Sequence, residues 1–261
     1  MQLGKYDFDE FEFTYQDKTR KVFRRGNGPG IVIMHEIPGI TPKVADFAGL
    51  VSEEGFTVFM PVMFGTPGKP KSRLYVMTEL ARVCVSREFN TMAKHESSPI
   101  TEWLRALCRH VYKELGGRGV GAIGMCLTGG FALSLMVDDC VMAPVLSQPS
   151  LPLFGSGHKE ALGISDSELQ TVKQRAQSGA SVLGLRFTED ETCPRERFET
   201  LRRELGPTGF KSIEIDSSKN NPFHIDSGAH SVLTTELVLK EGHPTKAALD
   251  EVLSLFRERL L

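Results

Sequence analysis

Residues 124–130 read Gly-Met-Cys-Leu-Thr-Gly-Gly, and this segment constrains the fold of the chain more than any other. It joins an apolar run typical of a buried strand, 120–124, to a helical pattern at 131–137. A strand that turns directly into a helix needs small residues there, because the backbone at the turn is strained. The turn places Cys126 at a helix N-terminus, where the helix dipole favours the thiolate. We therefore predict that Cys126 is a nucleophile and that the backbone N–H of Leu127 forms half of an oxyanion hole.

Strand and helix patterns alternate along most of the chain. Short runs bounded by turn residues predict strands at 11–15, 21–24, 31–34, 56–60, 120–124, 141–146, 181–187 and 210–215. Helical spacing or start signals predict helices at 42–54, 98–115, 131–137, 194–205 and 245–260. This order predicts an α/β fold, with a mostly parallel central sheet and helices on both faces, in a single domain over residues 1–261. Residues 66–98 do not fit the alternation and are predicted to form a helical insertion over the active site.

Polar residues with catalytic potential follow several of the predicted strands. Glu36 follows the strand at 31–34, three acids at 189–191 follow the strand at 181–187, and His230 lies in the loop after 210–215. In parallel sheets of this kind, ligands bind beyond the carboxyl ends of the strands. We therefore expect these residues to share one site with the cysteine.

Chain order suggests a role for each residue. Cys126, Asp190 and His230 occur as nucleophile, acid and base, which is the order typical of α/β-hydrolases. His230 would transfer protons and Asp190 would orient its ring, while Glu36 could take the thiol proton. The backbone N–H of Ile37 could complete the oxyanion hole.

Each assignment has a simpler alternative. A free cysteine is commonly a small buried apolar residue, so Cys126 could be purely structural. The acids at 189–191 could form a solvated turn, and His230 could be a solvated loop residue. Glu36 could be a capping or surface residue.

Composition excludes several other classes of protein. The chain has 31 Lys+Arg, 33 Asp+Glu and a net charge of −2, so no basic excess indicates nucleic acid binding. No apolar run is long enough for a membrane span. The five cysteines are odd in number and unpaired in spacing, which argues against disulfides or zinc and predicts reduced thiols in a cytoplasm. His35 beside Glu36 lacks a second histidine-rich cluster, so no metal is expected. The predicted acyl-transfer chemistry needs no cofactor.

Four segments together resemble the dienelactone hydrolase family: residues 30–40, residues 124–130, the turn at Asp190 and residues 228–231. The likeness extends over about residues 10–260. It implies a minimal α/β-hydrolase fold and a Cys126–Asp190–His230 triad, with Glu36 activating the thiol. It also implies hydrolysis of a cyclic enol ester, such as a carboxymethylenebutenolide, through an acyl-thioester and without a cofactor.

Two positions depart from the family pattern. Thr128 stands where the family usually has glycine, two residues after the nucleophile. Thr234 stands where members have an arginine that holds the substrate carboxylate, and Arg82 and Arg87 are candidates to replace it. Because threonine does not replace a bidentate arginine, an uncharged ester or thioester substrate is an alternative to the lactone. A ligand-binding relative without turnover is a further alternative.

Overall fold

The architecture is an α/β sandwich built on one eight-stranded sheet. The structure is a computed structural model that describes residues 1–85, 99–151 and 159–261. The strand order is β10-β9-β8-β7-β5-β6-β4-β3, and every neighbouring pair from β10 to β6 is parallel. Strands β3 and β4 close one edge as an antiparallel pair. The predicted fold class is therefore confirmed.

Ten strands are described. They are β1 Gln2–Leu3, β2 Tyr6–Asp7, β3 Asp9–Tyr15, β4 Lys18–Gly26, β5 Gly30–Met34, β6 Thr57–Pro61, β7 Val120–Met125, β8 Val141–Ser147, β9 Val182–Phe187 and β10 Phe210–Ile215. Strands β1 and β2 form a separate two-stranded sheet. Strands β5, β6, β7 and β9 are buried along their whole length, as expected for strands covered on both faces.

Seven helices are described. They are α1 Pro42–Glu53, α2 Arg73–Val85, α3 Pro99–Leu115, α4 Gly129–Leu135, α5 Asp166–Gln177, α6 Arg195–Gly209 and α7 Pro244–Leu260. A 3₁₀ turn, Cys126–Thr128, links β7 to α4. Helix α1 begins as predicted, with Thr41 accepting a hydrogen bond from the N–H of Val44 and Pro42 in the first turn.

Helix α5 is absent from the sequence prediction. It begins with a capping box in which Ser165 and Glu168 satisfy each other's backbone N–H groups. The Ser-x-x-Glu spacing was therefore a usable signal. The apolar face of this helix is short, with Val172 and Ala176 as its buried apolar residues, which explains why periodicity alone did not reveal it.

The hydrophobic core has two halves, one on each face of the sheet. One half contains Trp103 of α3, Phe131 of α4 and Phe198 of α6. The other half contains Phe47 of α1 and Phe256 of α7. Helices therefore cover both faces, and ligands can approach the sheet at its carboxyl edge, where β5, β7 and β9 end.

Candidate active site

Cys126 lies on a strained turn at the carboxyl end of β7. Its φ is +54°, in the left-handed region that favours glycine, and its side chain is partly exposed. A Cβ on Gly124 would lie 2.1 Å from the carbonyl oxygen of Thr128, and a Cβ on Gly129 would lie 2.5 Å from the backbone of Pro149. The turn is therefore too crowded for larger residues at these two positions, which is the physical reason for the glycine pattern.

His230 and Asp190 form a close pair beside this turn. His230 Nδ1 lies 2.6 Å from Asp190 Oδ2. Thr192 holds the other carboxylate oxygen of Asp190, donating to Oδ1 from its hydroxyl at 2.7 Å and from its backbone N–H at 3.0 Å. Asp190 is buried, whereas His230 is about one quarter exposed. Asp190 thus fixes the ring through Nδ1, and His230 itself lines the cavity.

The neighbours of His230 favour the protonated form of its ring. Burial by itself would lower the pKa of His230, but the Cys126 thiolate and the hydrogen bonds to Asp190 and Cys126 raise it to about 11. Burial would likewise raise the pKa of Asp190, yet its hydrogen bond with His230 and the donors of Thr192 lower it. An imidazolium beside the Asp190 carboxylate is therefore the charge state that this geometry stabilises.

Glu36 is a second buried carboxylate, and its donors come from distant parts of the chain. Ser231 Oγ donates to Glu36 Oε2 at 2.7 Å, and Thr234 Oγ1 donates to Oε1. Gln148 Nε2 donates to Oε2 at 3.3 Å. These contacts hold the carboxylate at the edge of the cavity that Cys126 also lines.

The loop after β5 is anchored by a neutral histidine. Burial lowers the pKa of His35 to about 4, so its ring is uncharged at neutral pH. Its Nε2 accepts the N–H of Met63 at 3.1 Å, which leaves Nδ1–H to donate to the carbonyl oxygen of Glu36 at 3.1 Å. This arrangement fixes the segment that carries Ile37 into the cavity.

A cavity of about 670 Å³ opens over these groups. Five apolar residues line it. Ile37 and Leu127 are the two residues whose backbone N–H groups are candidates for the oxyanion hole, Val76 and Leu80 belong to α2, and Leu151 lies in the loop after β8. Its polar lining includes Glu36, Cys126, Asp190, Thr192, His230 and Ser231. Among the described lining residues, Lys71 is the single lysine or arginine. The cavity therefore suits a largely apolar small molecule with a reactive polar group at its base.

The three predicted substrate-binding residues have different positions. Thr234 is buried under Glu36 and is not among the residues that line this cavity. Arg82 lies on the exposed side of α2, where it forms an ion pair with Glu79 at 2.7 Å, and it too is absent from the lining. Arg87 lies outside the described residues, as does the part of the predicted insertion at 86–98.

Gln148, Ser231 and Thr192 contact the carboxylates of the site, and sequence reasoning gave their side chains no role. Gln148 directly follows β8, so its position after a parallel strand was a signal of the same kind as that of Glu36. Ser231 is adjacent to His230 in the chain, and Thr192 is two residues from Asp190.

Over the part of the chain that the structure describes, no group of three or more His, Cys, Asp or Glu side chains is placed to hold a metal ion. Within the same ranges, no helix has the length and apolar character needed to cross a membrane.

Comparison with solved structures defines the fold as that of an α/β-hydrolase. A dienelactone hydrolase from Klebsiella pneumoniae, provisionally named so, has a TM-score of 0.62 at 16% identity, covering 97% of this chain and 98% of that one. A dienelactone hydrolase-like promiscuous phosphotriesterase from metagenomic libraries has a TM-score of 0.59 at 15% identity, covering 98% and 99%. At these identities, the likeness establishes the fold alone.

Sequence comparison identifies the family. The sequence model of the dienelactone hydrolase family matches residues 18–217, and the chain belongs to this family. A Saccharomyces cerevisiae protein provisionally named a carboxymethylenebutenolidase is 22% identical over 187 residues, which cover 70% of this chain. The match spans 65% of the yeast protein, slightly less than two thirds of its length. The predicted family resemblance is confirmed.

Proposed function

We propose that the chain hydrolyses esters or lactones of small molecules with Cys126 as nucleophile. One observation carries the proposal: Cys126, His230 and Asp190 line one cavity, and Asp190 is hydrogen bonded to His230. The family membership and the hydrolase-like fold support it. The reaction requires no cofactor, and the predicted cytoplasmic location stays a prediction.

The first half of the reaction forms an acyl-enzyme. The Cys126 thiolate attacks the carbonyl carbon of the ester, and the electron pair of the C=O bond moves to oxygen. The backbone N–H groups of Ile37 and Leu127 hold this oxyanion. When the tetrahedral intermediate collapses, the C–O bond to the leaving group breaks, and the leaving oxygen takes the proton from Nε2 of His230. The product is a thioester on Cys126 and an alcohol.

The second half regenerates the enzyme. Neutral His230 removes a proton from water, and the oxygen of that water attacks the thioester carbonyl. The C–S bond then breaks and restores the thiolate beside a protonated His230. Asp190 keeps the ring oriented through both halves, and Glu36 favours formation of the thiolate.

Replacement of the nucleophile tests this mechanism. We expect Cys126→Ala and Cys126→Ser to lose on the order of 10⁴-fold in kcat/KM on p-nitrophenyl acetate. Cys140→Ser is the matched control, because Cys140 is also partly exposed but burial raises its pKa to about 11. Iodoacetamide at neutral pH should alkylate Cys126 and leave Cys140 unmodified. Undiminished turnover in both Cys126 variants would exclude the proposal.

A second candidate is an esterase or thioesterase for uncharged acyl groups on the same scaffold. The observation in its favour is that neither Thr234 nor Arg82 is placed to bind a substrate carboxylate. The hydroxyl of Thr234 donates to Glu36, and Arg82 forms an ion pair with Glu79 away from the cavity. Lys71 is then the described lysine or arginine that could meet a substrate carboxylate.

A substrate pair separates the two candidates. If the enzyme acts on uncharged acyl groups, kcat/KM should be roughly 10-fold or more higher for p-nitrophenyl butyrate than for p-nitrophenyl hemisuccinate. The added carboxylate of the hemisuccinate would lack a charged partner in the cavity. Preference for the hemisuccinate that disappears in Lys71→Met would instead favour a carboxylate-bearing lactone.

A further inference from the structure

Thr128 has a buried hydroxyl that connects the two strands from which the proposed oxyanion hole is built. Its side chain is fully buried at the end of the 3₁₀ turn. The hydroxyl oxygen accepts the N–H of Met125 at 2.8 Å. Its single proton lies within reach of two carbonyl oxygens, that of Met34 at 2.8 Å and that of Met125 at 2.9 Å.

The two connected residues are the last residues of β5 and β7. The ladder between these strands ends at the pair Met34 and Gly124. The hydroxyl of Thr128 therefore adds a link just beyond the last ladder pair, at the point where both strands turn into the site.

Each strand end leads within a few residues to one of the proposed oxyanion donors. Ile37 follows Met34 by three residues, and Leu127 follows Met125 by two. A contact that fixes Met34 relative to Met125 thus limits how far the two donor N–H groups can separate. Stabilisation of an oxyanion depends steeply on such separations, because the donors must lie close to the place where charge develops.

The backbone at Thr128 gives no other reason for a threonine. Its φ of −87° and ψ of −3° are accessible to any residue, so the position demands neither glycine nor a β-branched side chain. The crowding against Gly124 comes from the carbonyl oxygen of Thr128 and not from its side chain. The hydroxyl is therefore the chemical property that distinguishes this residue.

We propose that Thr128 is a positioning residue whose hydroxyl holds the two halves of the oxyanion hole at their working separation. The proposal rests on the proposed function, because it needs Cys126 to form a tetrahedral oxyanion. Thr128 does not touch the substrate, and it moves no proton in the reaction.

Two matched pairs isolate the hydroxyl: wild type against Thr128→Val, and Thr128→Ser against Thr128→Ala. We expect the valine and alanine variants to lose roughly 10-fold to 100-fold in kcat relative to their partners, with KM within about twofold. Inhibition by a trifluoromethyl ketone, which adds to the thiolate and forms an oxyanion, should weaken by a similar factor. If the valine variant does not fold, the serine–alanine pair provides the same comparison.

Alkylation separates this role from a structural one or from an effect on the nucleophile. Iodoacetamide reacts with Cys126 by displacement at carbon and forms no oxyanion, so its rate and pH profile should be the same within each pair. Equal kcat within each pair, even with a lowered Tm, would overturn the proposal. A parallel loss of alkylation and turnover would also overturn it. Failure of the proposed function would give a different result, namely that Cys126→Ala retains its turnover.

Discussion

Asp190 and Glu36 are both buried carboxylates at one cavity, but different kinds of neighbours hold them. Thr192, two residues along the chain, occupies one oxygen of Asp190, and the other oxygen faces His230. The donors to Glu36 are more than 100 residues away in sequence. A carboxylate held by its own turn can be recognised in a sequence, whereas one held by two distant segments needs the folded chain. The two carboxylates also differ in their proposed roles, since Asp190 would orient His230 while Glu36 would favour formation of the Cys126 thiolate.

Among changes to the two carboxylates and their partners, Asp190→Asn has the largest expected effect. An asparagine can donate to Nδ1 of His230 and so favours the wrong tautomer, and it removes the charge that stabilises the imidazolium. We expect kcat to fall on the order of 10³-fold.

The pH profile of this variant gives an independent readout. Protonated His230 is needed to expel the leaving group, so activity is lost as pH rises through the pKa of that residue, which lies near 11 in the wild-type site. Without the Asp190 charge this pKa falls, and the alkaline limb of the profile should move to lower pH. An unchanged limb would contradict the assignment of Asp190 as the partner of His230.

The next effect is that of Glu36→Gln. The amide retains the shape of the side chain but cannot favour loss of the thiol proton, so we expect kcat/KM to fall by roughly 10-fold to 100-fold. Glu236→Gln is the matched control, because Glu236 is half-buried and close enough to Glu36 for their charges to interact, but does not line the cavity. Alkylation of Cys126 by iodoacetamide, followed against pH, should shift to higher pH in Glu36→Gln alone. Equal shifts in both variants would mean that Glu36 acts only through general electrostatics.

The smallest effect is that of Thr234→Val. Valine has nearly the same shape and removes one of the three donors to Glu36. Loss of a hydrogen bond to a charged group should lower the free energy of unfolding by about 1–3 kcal/mol, measured by urea denaturation. Activity should change by less than about 10-fold, since Ser231 and Gln148 still hold the carboxylate. If activity fell as far as in Glu36→Gln, the position of Glu36 would depend on Thr234 alone.

The sequence indicated more of the proposed triad than of its surroundings. Cys126, Asp190 and His230 could be assigned because each follows a strand and because their chain order is informative. Gln148 and Ser231 were given no role, because their shared partner, Glu36, lies more than 100 residues away in the chain. Helix α5 was missed because its buried face is short, although its capping box is written in the sequence.

By itself, the sequence determined the alternation of strands and helices, the glycine-rich turn at Cys126 and the family to which the chain belongs. These properties follow from hydrophobic period, turn chemistry and short motifs, all of which act over neighbouring residues. Only the tertiary structure decided that Thr234 binds Glu36 and that the hydroxyl of Thr128 reaches Met34. The physical reason is that hydrogen bonds between distant residues depend on how strands are ordered in the sheet, and no local pattern specifies that order.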